Sequence, residues 1–301
     1  METLLKETRM LTRRSLLLAP FADPPPASVE AHLHLFEPAR LPYHPTATYR
    51  PPAEPLAPYL DFAKVHNIQH AIIVHPEPYQ DDHRYLEYCF TNEKPAGLFK
   101  GTCLFDPVDP ATPAKLKELT QRWPKRIVAL RIHAVNGKGE PFLKTGPLKN
   151  RDLADPAMRR TWAACTDLGL KIQMHFVPHH APAIAALAKQ VPVGLIIDHL
   201  GRGGVEEGGW DHIARLADLP LATLKFSGLS YSSKQKHPYP DLAPHIAHLV
   251  KAFGTSRIIQ GGLGPSPKLY QEAIEQLTAF IPAQDRAAVR YANAMKVYGF
   301  A

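Results

Sequence analysis

Eight short apolar runs recur along this chain, each followed by a turn or a helix-favouring stretch, and that alternation restricts the fold more than any single motif. The runs are Val29–Leu35, His70–His75, Leu98–Phe105, Ile127–His133, Leu170–Phe176, Gly194–His199, Ala222–Ser227 and Arg257–Gly261. Amphipathic or helix-favouring segments separate them at Leu56–His66, Arg84–Phe90, Pro113–Arg122, Pro156–Asp167, Ala181–Lys189, Asp241–Phe253 and Lys268–Ala279. Short apolar runs that alternate with helical segments read as strands of a parallel sheet. Eight such units are the count of a (β/α)8 TIM barrel, whose usual length of about 250 residues fits a single domain over residues 28–301.

Residues 1–27 then form an N-terminal extension. Its stretch "TRRSLLLAPFA", Thr12 to Ala22, places twin arginines before a short apolar run, which is similar to a bacterial twin-arginine export signal. The run is short, and "DPPPAS" leads straight into the first strand, so a plain extension is the other reading; the expected location is cytoplasmic or exported. No stretch is long and apolar enough to span a membrane.

The first strand carries the densest chemistry. In "SVEAHLHLFEP", Glu30, His32 and His34 are spaced two apart, and residues i, i+2 and i+4 of a strand share a face. These three are expected on one surface, with Val29, Ala31, Leu33 and Leu35 on the other. A pair of neutral imidazoles there suits one cation or one substrate; in a chain with 16 histidines, a solvated edge strand is the competing explanation. Further histidines stand near strand ends: His75, His133, His175 and His199. In a barrel all such ends converge on one mouth. His75 and His133 are read equally as loop-capping residues. His175 shares its parity with Lys171 and Gln173 in "KIQMHF", so that strand shows polar groups to one face. His199 closes the apolar run "LIIDH", whereas Asp198 has the opposite parity and is expected to brace a neighbouring loop or helix. The Gly-, Lys- and Pro-rich segment Ala134–Asp155 follows the fourth strand and is expected over the mouth, where loops set specificity.

Composition narrows the partners. The formal charge is +7 and the pI near 9.2, yet the Lys and Arg are scattered and not gathered into a stripe with interleaved aromatics. A small anionic molecule is the expected partner; neither nucleic acid nor a membrane is expected. Cys89, Cys103 and Cys165 lie too far apart in sequence for a disulfide framework or a cysteine zinc site. Nothing in the sequence reads out an oligomeric state.

The ordered motifs "VEAHLHLF", "LKIQMHF", "GLIIDHLGR", "LKFSGLS" and "NAMKVYGF" together resemble the amidohydrolase-related (Amidohydro-2) family, in particular its branch of 2-pyrone-4,6-dicarboxylate lactonase and fuconolactonase-like enzymes. The similarity runs from about Ser28 to Phe300, and "YRPP" at Tyr49–Pro52 adds to it. The resemblance implies a barrel hydrolase that opens a lactone or similar cyclic ester on a small anionic substrate, with relatives that decarboxylate. By position it implies that His32, His34, His175 and His199 are catalytic. It further implies that Arg131 holds a substrate carboxylate, which a planar guanidinium suits. Lys225 matches the family's strand-seven lysine, with a buried structural partner as its other reading. Tyr49 and Glu77 fall in loops placed to contact substrate. His32, His34 and His175 would hold a divalent metal, zinc or manganese, if one is bound; protonated imidazoles polarising the carbonyl are the metal-free route.

The chain departs from the family after the eighth strand. There "GGLGPSP", Gly261 to Pro267, places Leu263 where the family has an aspartate. Leucine neither accepts a proton nor binds a metal. Three expectations stay open: His199, Glu30 or Glu77 activates water; a metal lowers the pKa of its own water; or the barrel is a catalytically impaired binding protein. Glu30 stands where the family more often has aspartate and is expected near the barrel floor.

Overall fold

Alternating Ile, Val, Leu and Ala give each apolar run two buried faces, as a strand inside a helix-covered sheet requires. The chain forms eight strands: β1 (Ser28–Leu33), β2 (Ile68–Val74), β3 (Phe99–Cys103), β4 (Ile127–Ala134), β5 (Lys171–Phe176), β6 (Leu195–Ile197), β7 (Ala222–Phe226) and β8 (Ile258–Gln260). The structure is a computed structural model that describes residues 25–262 and 267–300. The twin-arginine segment Thr12–Ala22 and Leu263 lie outside the described residues. Strand order is β1 to β8 in sequence, with every adjacent pair parallel. The result is a nearly closed (β/α)8 barrel, and each strand overlaps its expected run.

Helices cover the outside: α1 (Leu56–Val65), α2 (Arg84–Asn92), α3 (Thr112–Arg122), α4 (Pro156–Asp167), α5 (Ala181–Gln190), α6 (Gly209–Arg215), α7 (Ala243–Phe253), α8 (Pro267–Leu277), α9 (Ala283–Ala287) and α10 (Asn293–Tyr298). The sequence reading lacks α6, α9 and α10. Each has seven residues or fewer, too short to show a helical period. Among the described residues no helix is long and apolar enough to cross a membrane.

Two apolar layers follow from strand alternation. Ala71 and Ile73 of β2 face the helices, whereas Ile72 and Val74 face inward with Val29, Ala31, Ile196 and Ile259. Ala294 and Tyr298 of α10 join that inner cluster. Lys100, near the start of β3, donates to the carbonyls of Tyr298 and Gly299, so the C-terminal helix plugs the end of the barrel where the strands begin. Burial of each such valine or isoleucine contributes about 1.5–3 kcal/mol. The opposite end is left for chemistry.

The face assignment of β1 needs correction. Glu30 pairs with Ala71 and Leu33 with Ile73, so three steps on β1 match two on β2. One residue is extra, and a bulge of this kind re-aims the side chains around it. Glu30 therefore leaves the face of His32 and His34. It turns to the seam between β1 and β8, where its carboxylate accepts from the backbone N–H of Gly262 and from that of His32. A β-carbon on Gly262 would sit 2.8 Å from Glu30 Oε2, so any other residue there would push the carboxylate aside.

Candidate active site

Five imidazoles form an arc across the barrel mouth in the order His34, His32, His199, His175, His133. Successive ring centroids are 4.9, 4.5, 4.9 and 5.2 Å apart. The arc unites the four histidines expected at the centre and adds His133, which the sequence leaves undecided. His133 and His175 are register partners on β4 and β5. Their Nδ1 atoms lie 3.2 Å apart. His75 stays outside the arc: its Nε2 donates to the carbonyl of Gln80 at 2.9 Å, and its backbone N–H donates to Thr102 Oγ1. It caps a loop.

Beneath the arc lies Asp198, fully buried. Its Oδ1 is 3.0 Å from Lys225 Nζ and 3.6 Å from His32 Nδ1, and its Oδ2 is 3.4 Å from Arg131 and accepts from Gln173 Nε2 at 3.0 Å. This overturns the outward placement expected from parity. The reason is local: Ile196 faces the interior, so Asp198 does too, and the chain then departs from strand geometry. His199, Leu200, Gly201 and Arg202 all have φ between 53° and 60°, a run that L residues avoid at a cost of about 1–2 kcal/mol each. The left-handed run brings His199 into the mouth beside Asp198. Gly228, whose own φ is 55°, makes room, because a β-carbon there would lie 2.6 Å from His199 Nδ1. Ser227 Oγ fixes that same Nδ1 at 2.9 Å.

Charge in the site is uneven. Burial drives the pKa of His32, His133, His175 and His199 well below the usual imidazole value and takes His34 to about 3. All five rings are therefore neutral at pH 7. Burial pushes the Asp198 carboxyl up, but Lys225 and then His32 outweigh it and hold that group well below the carboxylate range. One anion, Asp198, faces two cations, Lys225 and Arg131. A buried site with this balance attracts an anion. Arg131 Nε, His133 Nε2 and His175 Nε2 are buried polar atoms without a hydrogen-bond partner.

A cleft of about 750 Å3 opens over the mouth, lined among others by His32, His34, Tyr49, Tyr231, Glu30 and Gly262. Tyr49 is half exposed in the loop after β1, and burial of its hydroxyl raises its pKa to about 12. Glu77 is buried, and both of its carboxylate oxygens lie 3.2 Å from the backbone nitrogen of Thr48. It anchors the Tyr49 loop. Lys225 is wholly buried with its ammonium committed to Asp198 and 3.5 Å from His32 Nδ1. Sequence reasoning also missed Arg202 and Tyr231: the guanidinium stacks over the Tyr231 ring at 5.0 Å, and that ring packs 5.1 Å from His199. Arg202 carries no sequence signal beyond standing three residues past His199. Asp198 had one, as the sole carboxylate in an apolar run.

His32 Nε2 and His34 Nε2 lie 3.3 Å apart, which matches the separation of about 3.3 Å that two imidazoles on one tetrahedral zinc adopt with Zn–N bonds of about 2.0–2.1 Å. Their far nitrogens are held, His34 Nδ1 by the Val74 carbonyl at 2.7 Å and His32 Nδ1 beside Asp198, the support that metal-binding histidines ordinarily have. His32, Asp198 and His199 also offer ligand atoms within 4.8 Å of one another. A His/Asp group able to take a metal is therefore present. It shares His32 with the set that the resemblance implied.

The Amidohydro_2 family model (Amidohydrolase) matches residues 29–300. A 4-sulfomuconolactone hydrolase of Rhizobium radiobacter is 26% identical over 248 residues, which cover 80% of this chain and 76% of that protein. Among solved structures, a probable 2-pyrone-4,6-dicarboxylic acid hydrolase from Acinetobacter baumannii, with citric acid bound, superposes with a TM-score of 0.74 at 16% identity, over 91% of this chain and 99% of that one. An amidohydrolase from Burkholderia multivorans with bound zinc superposes with a TM-score of 0.69 at 17% identity, over the same shares. At these identities the structural likenesses establish a shared fold.

Proposed function

From the premise that this chain belongs to the Amidohydro_2 family of amidohydrolases, we propose that it hydrolyses a lactone or similar cyclic ester carried on a small anionic molecule. One observation carries the reading: an arc of neutral imidazoles stands over a buried floor of net positive charge, where Arg131 Nε has no partner. Arg131 binds the substrate's carboxylate or sulfonate. Its flat, forked donors suit such a group. The opposite end of the substrate then lies against His32, His34, His175 and His199. Neutral imidazole both accepts and donates hydrogen bonds, so these rings orient the attacking water, accept its proton, and hydrogen-bond the carbonyl oxygen as charge develops there. Asp198 and Lys225 fix the His32 ring from below. Tyr49, on the loop anchored by Glu77, closes over the substrate and excludes water.

Zinc or manganese would be held by His32 with either His34 or the pair Asp198 and His199, and would supply a Lewis acid for the carbonyl and a lowered pKa for bound water. The histidine arc needs no protein carboxylate at the position of Leu263 to supply a base. That is why hydrolysis is preferred over the impaired-barrel reading.

The test is to supply the purified chain with 4-sulfomuconolactone and 2-pyrone-4,6-dicarboxylate, the compounds its relatives are named for, and to follow ring opening by absorbance with and without Arg131→Met. Ring opening by the wild type, lost in the variant, is expected. Carbon dioxide released from carboxylated aromatic acids, with both lactones left intact, would replace hydrolysis by decarboxylation.

A further inference from the structure

His133 has no role so far beyond standing next to His175. We propose that His133 and His175 work as a single donor–acceptor couple, and that His133 is a catalytic residue of the hydrolysis; this rests on the lactone reading above.

The two rings are register partners on adjacent strands, and their Nδ1 atoms are 3.2 Å apart. A hydrogen bond between two Nδ1 atoms needs one N–H and one lone pair. A neutral imidazole carries one proton only. Whichever ring places its proton on Nδ1, the other must carry its own on Nε2. The two Nε2 atoms are therefore always unlike: one is a donor and the other an acceptor. Both are buried without a hydrogen-bond partner, and no other pair of rings in the arc has both outer nitrogens in that condition. His32 and His34 meet through Nε2, and His199 is tied to Ser227.

A couple of this kind serves a reaction that removes a proton at one atom and delivers one at another. The acceptor Nε2 takes a proton from water as the water oxygen bonds to the lactone carbonyl carbon. The Nδ1 proton crosses to the other ring, whose Nε2 proton passes to the ring oxygen as the bond between carbonyl carbon and ring oxygen breaks. Water has lost one proton, the departing alcohol has gained one, and neither imidazole ends charged. The tautomers have exchanged places, and the reverse shift, with solvent trading protons at both Nε2 atoms, restores them. The strands hold both rings rigidly.

Two measurements test this on the full chain. Long-range nitrogen–proton NMR with 15N-histidine, assigned by loss of signals in His133→Asn and His175→Asn, is expected to show His133 and His175 in opposite neutral tautomers. Like tautomers in the wild type overturn the couple whether or not the protein is active. In kinetics, His133→Asn keeps a polar group for His175 Nδ1 but has no second nitrogen, so kcat for the anionic lactone is expected to fall about a hundredfold, within the range of proton-transfer catalysis, with KM within threefold and Tm unchanged. A variant that keeps a third or more of kcat overturns the catalytic role. If the wild type opens no lactone while the tautomers are opposite, the lactone reading falls and the catalytic role of His133 with it, but the couple stands.

Discussion

Asp198 and Lys225, both wholly buried, meet at 3.0 Å beneath the histidine arc. Neither charge is solvated, so each depends on the other, and Arg131 and Gln173 complete the second carboxylate oxygen. Removing one member of such a pair strands the other, at about 3–5 kcal/mol. Asp198→Asn is expected to lower unfolding free energy by that amount in urea titrations, and Lys225→Met to do likewise. The double variant should be less destabilised than the sum, because the Lys225 ammonium is no longer stranded and only Arg131 is left without its carboxylate. Strict additivity would show that the two do not interact.

Arg131 is the residue that should separate anionic from neutral substrates. Arg131→Lys keeps a positive charge near Asp198 but loses the forked donors and the unpaired Nε. KM for an anionic lactone is expected to rise about ten- to a hundredfold, an order of magnitude for each 1.4 kcal/mol of lost contact. A neutral lactone should be opened equally well by variant and wild type. Equal losses on both substrates would place Arg131 in the framework and not in recognition.

Most of the barrel was legible because its strands repeat one simple pattern, an apolar run and then a helix. The histidines were legible too, since strand ends in a barrel share one mouth. Legibility failed where the backbone leaves its regular period. The β1 bulge between Glu30 and Leu33 re-aims Glu30, and the left-handed run from His199 to Arg202 places Asp198 and His199 in one site although they are sequence neighbours. Parity arguments assume an unbroken strand. Glu77 was read as a substrate contact from its loop position, yet nothing in the sequence reveals that Thr48 would claim its carboxylate.

Glu77 gives a prediction of its own. Its carboxylate accepts from Thr48 N–H next to Tyr49, so Glu77→Gln, which still offers an acceptor, is expected to behave like wild type. Glu77→Ala leaves that backbone N–H unpaired, worth about 1–3 kcal/mol if it stays buried, and lets the loop move. KM should rise about tenfold with kcat little changed. A loss of kcat in Glu77→Gln equal to that in Glu77→Ala would mean that the charge itself takes part in the chemistry.

Activity should tolerate acid until the fold gives way. His34 is held to about 3 and the other four rings well below the ordinary value of 6.5, chiefly by burial, so the neutral bases persist as pH falls. The kcat/KM for an anionic lactone is expected to be flat between pH 7 and about 5. Stability runs the other way: these depressed groups contribute above pH 6.5, and the contribution is lost below it as the unfolded chain takes up protons that the native state refuses. Tm should drop steadily from pH 6.5 toward 4. An activity limb centred near 6.5 in a fully folded sample would show that an arc histidine is ordinary.

Glu30 supplies a stability signal of opposite sign. Burial at the seam, opposed by the backbone N–H groups of Gly262 and His32, raises its carboxyl from 4.5 to about 7. A raised folded-state pKa means that the contribution to stability is complete below pH 4.5 and is lost as pH climbs through 7, because the unfolded chain ionises freely while the native seam resists the charge. At about 1.4 kcal/mol per unit, the loss reaches roughly 3.5 kcal/mol at most. Glu30→Gln keeps an acceptor for Gly262 and cannot ionise. Its unfolding free energy is expected to match wild type near pH 5 and to exceed it by about 1–3 kcal/mol at pH 8, as read from urea titrations at both values. If the wild type holds its advantage at pH 8, the ionised carboxylate stabilises the seam, and Gly262 and His32 N–H hold it more strongly than burial opposes it.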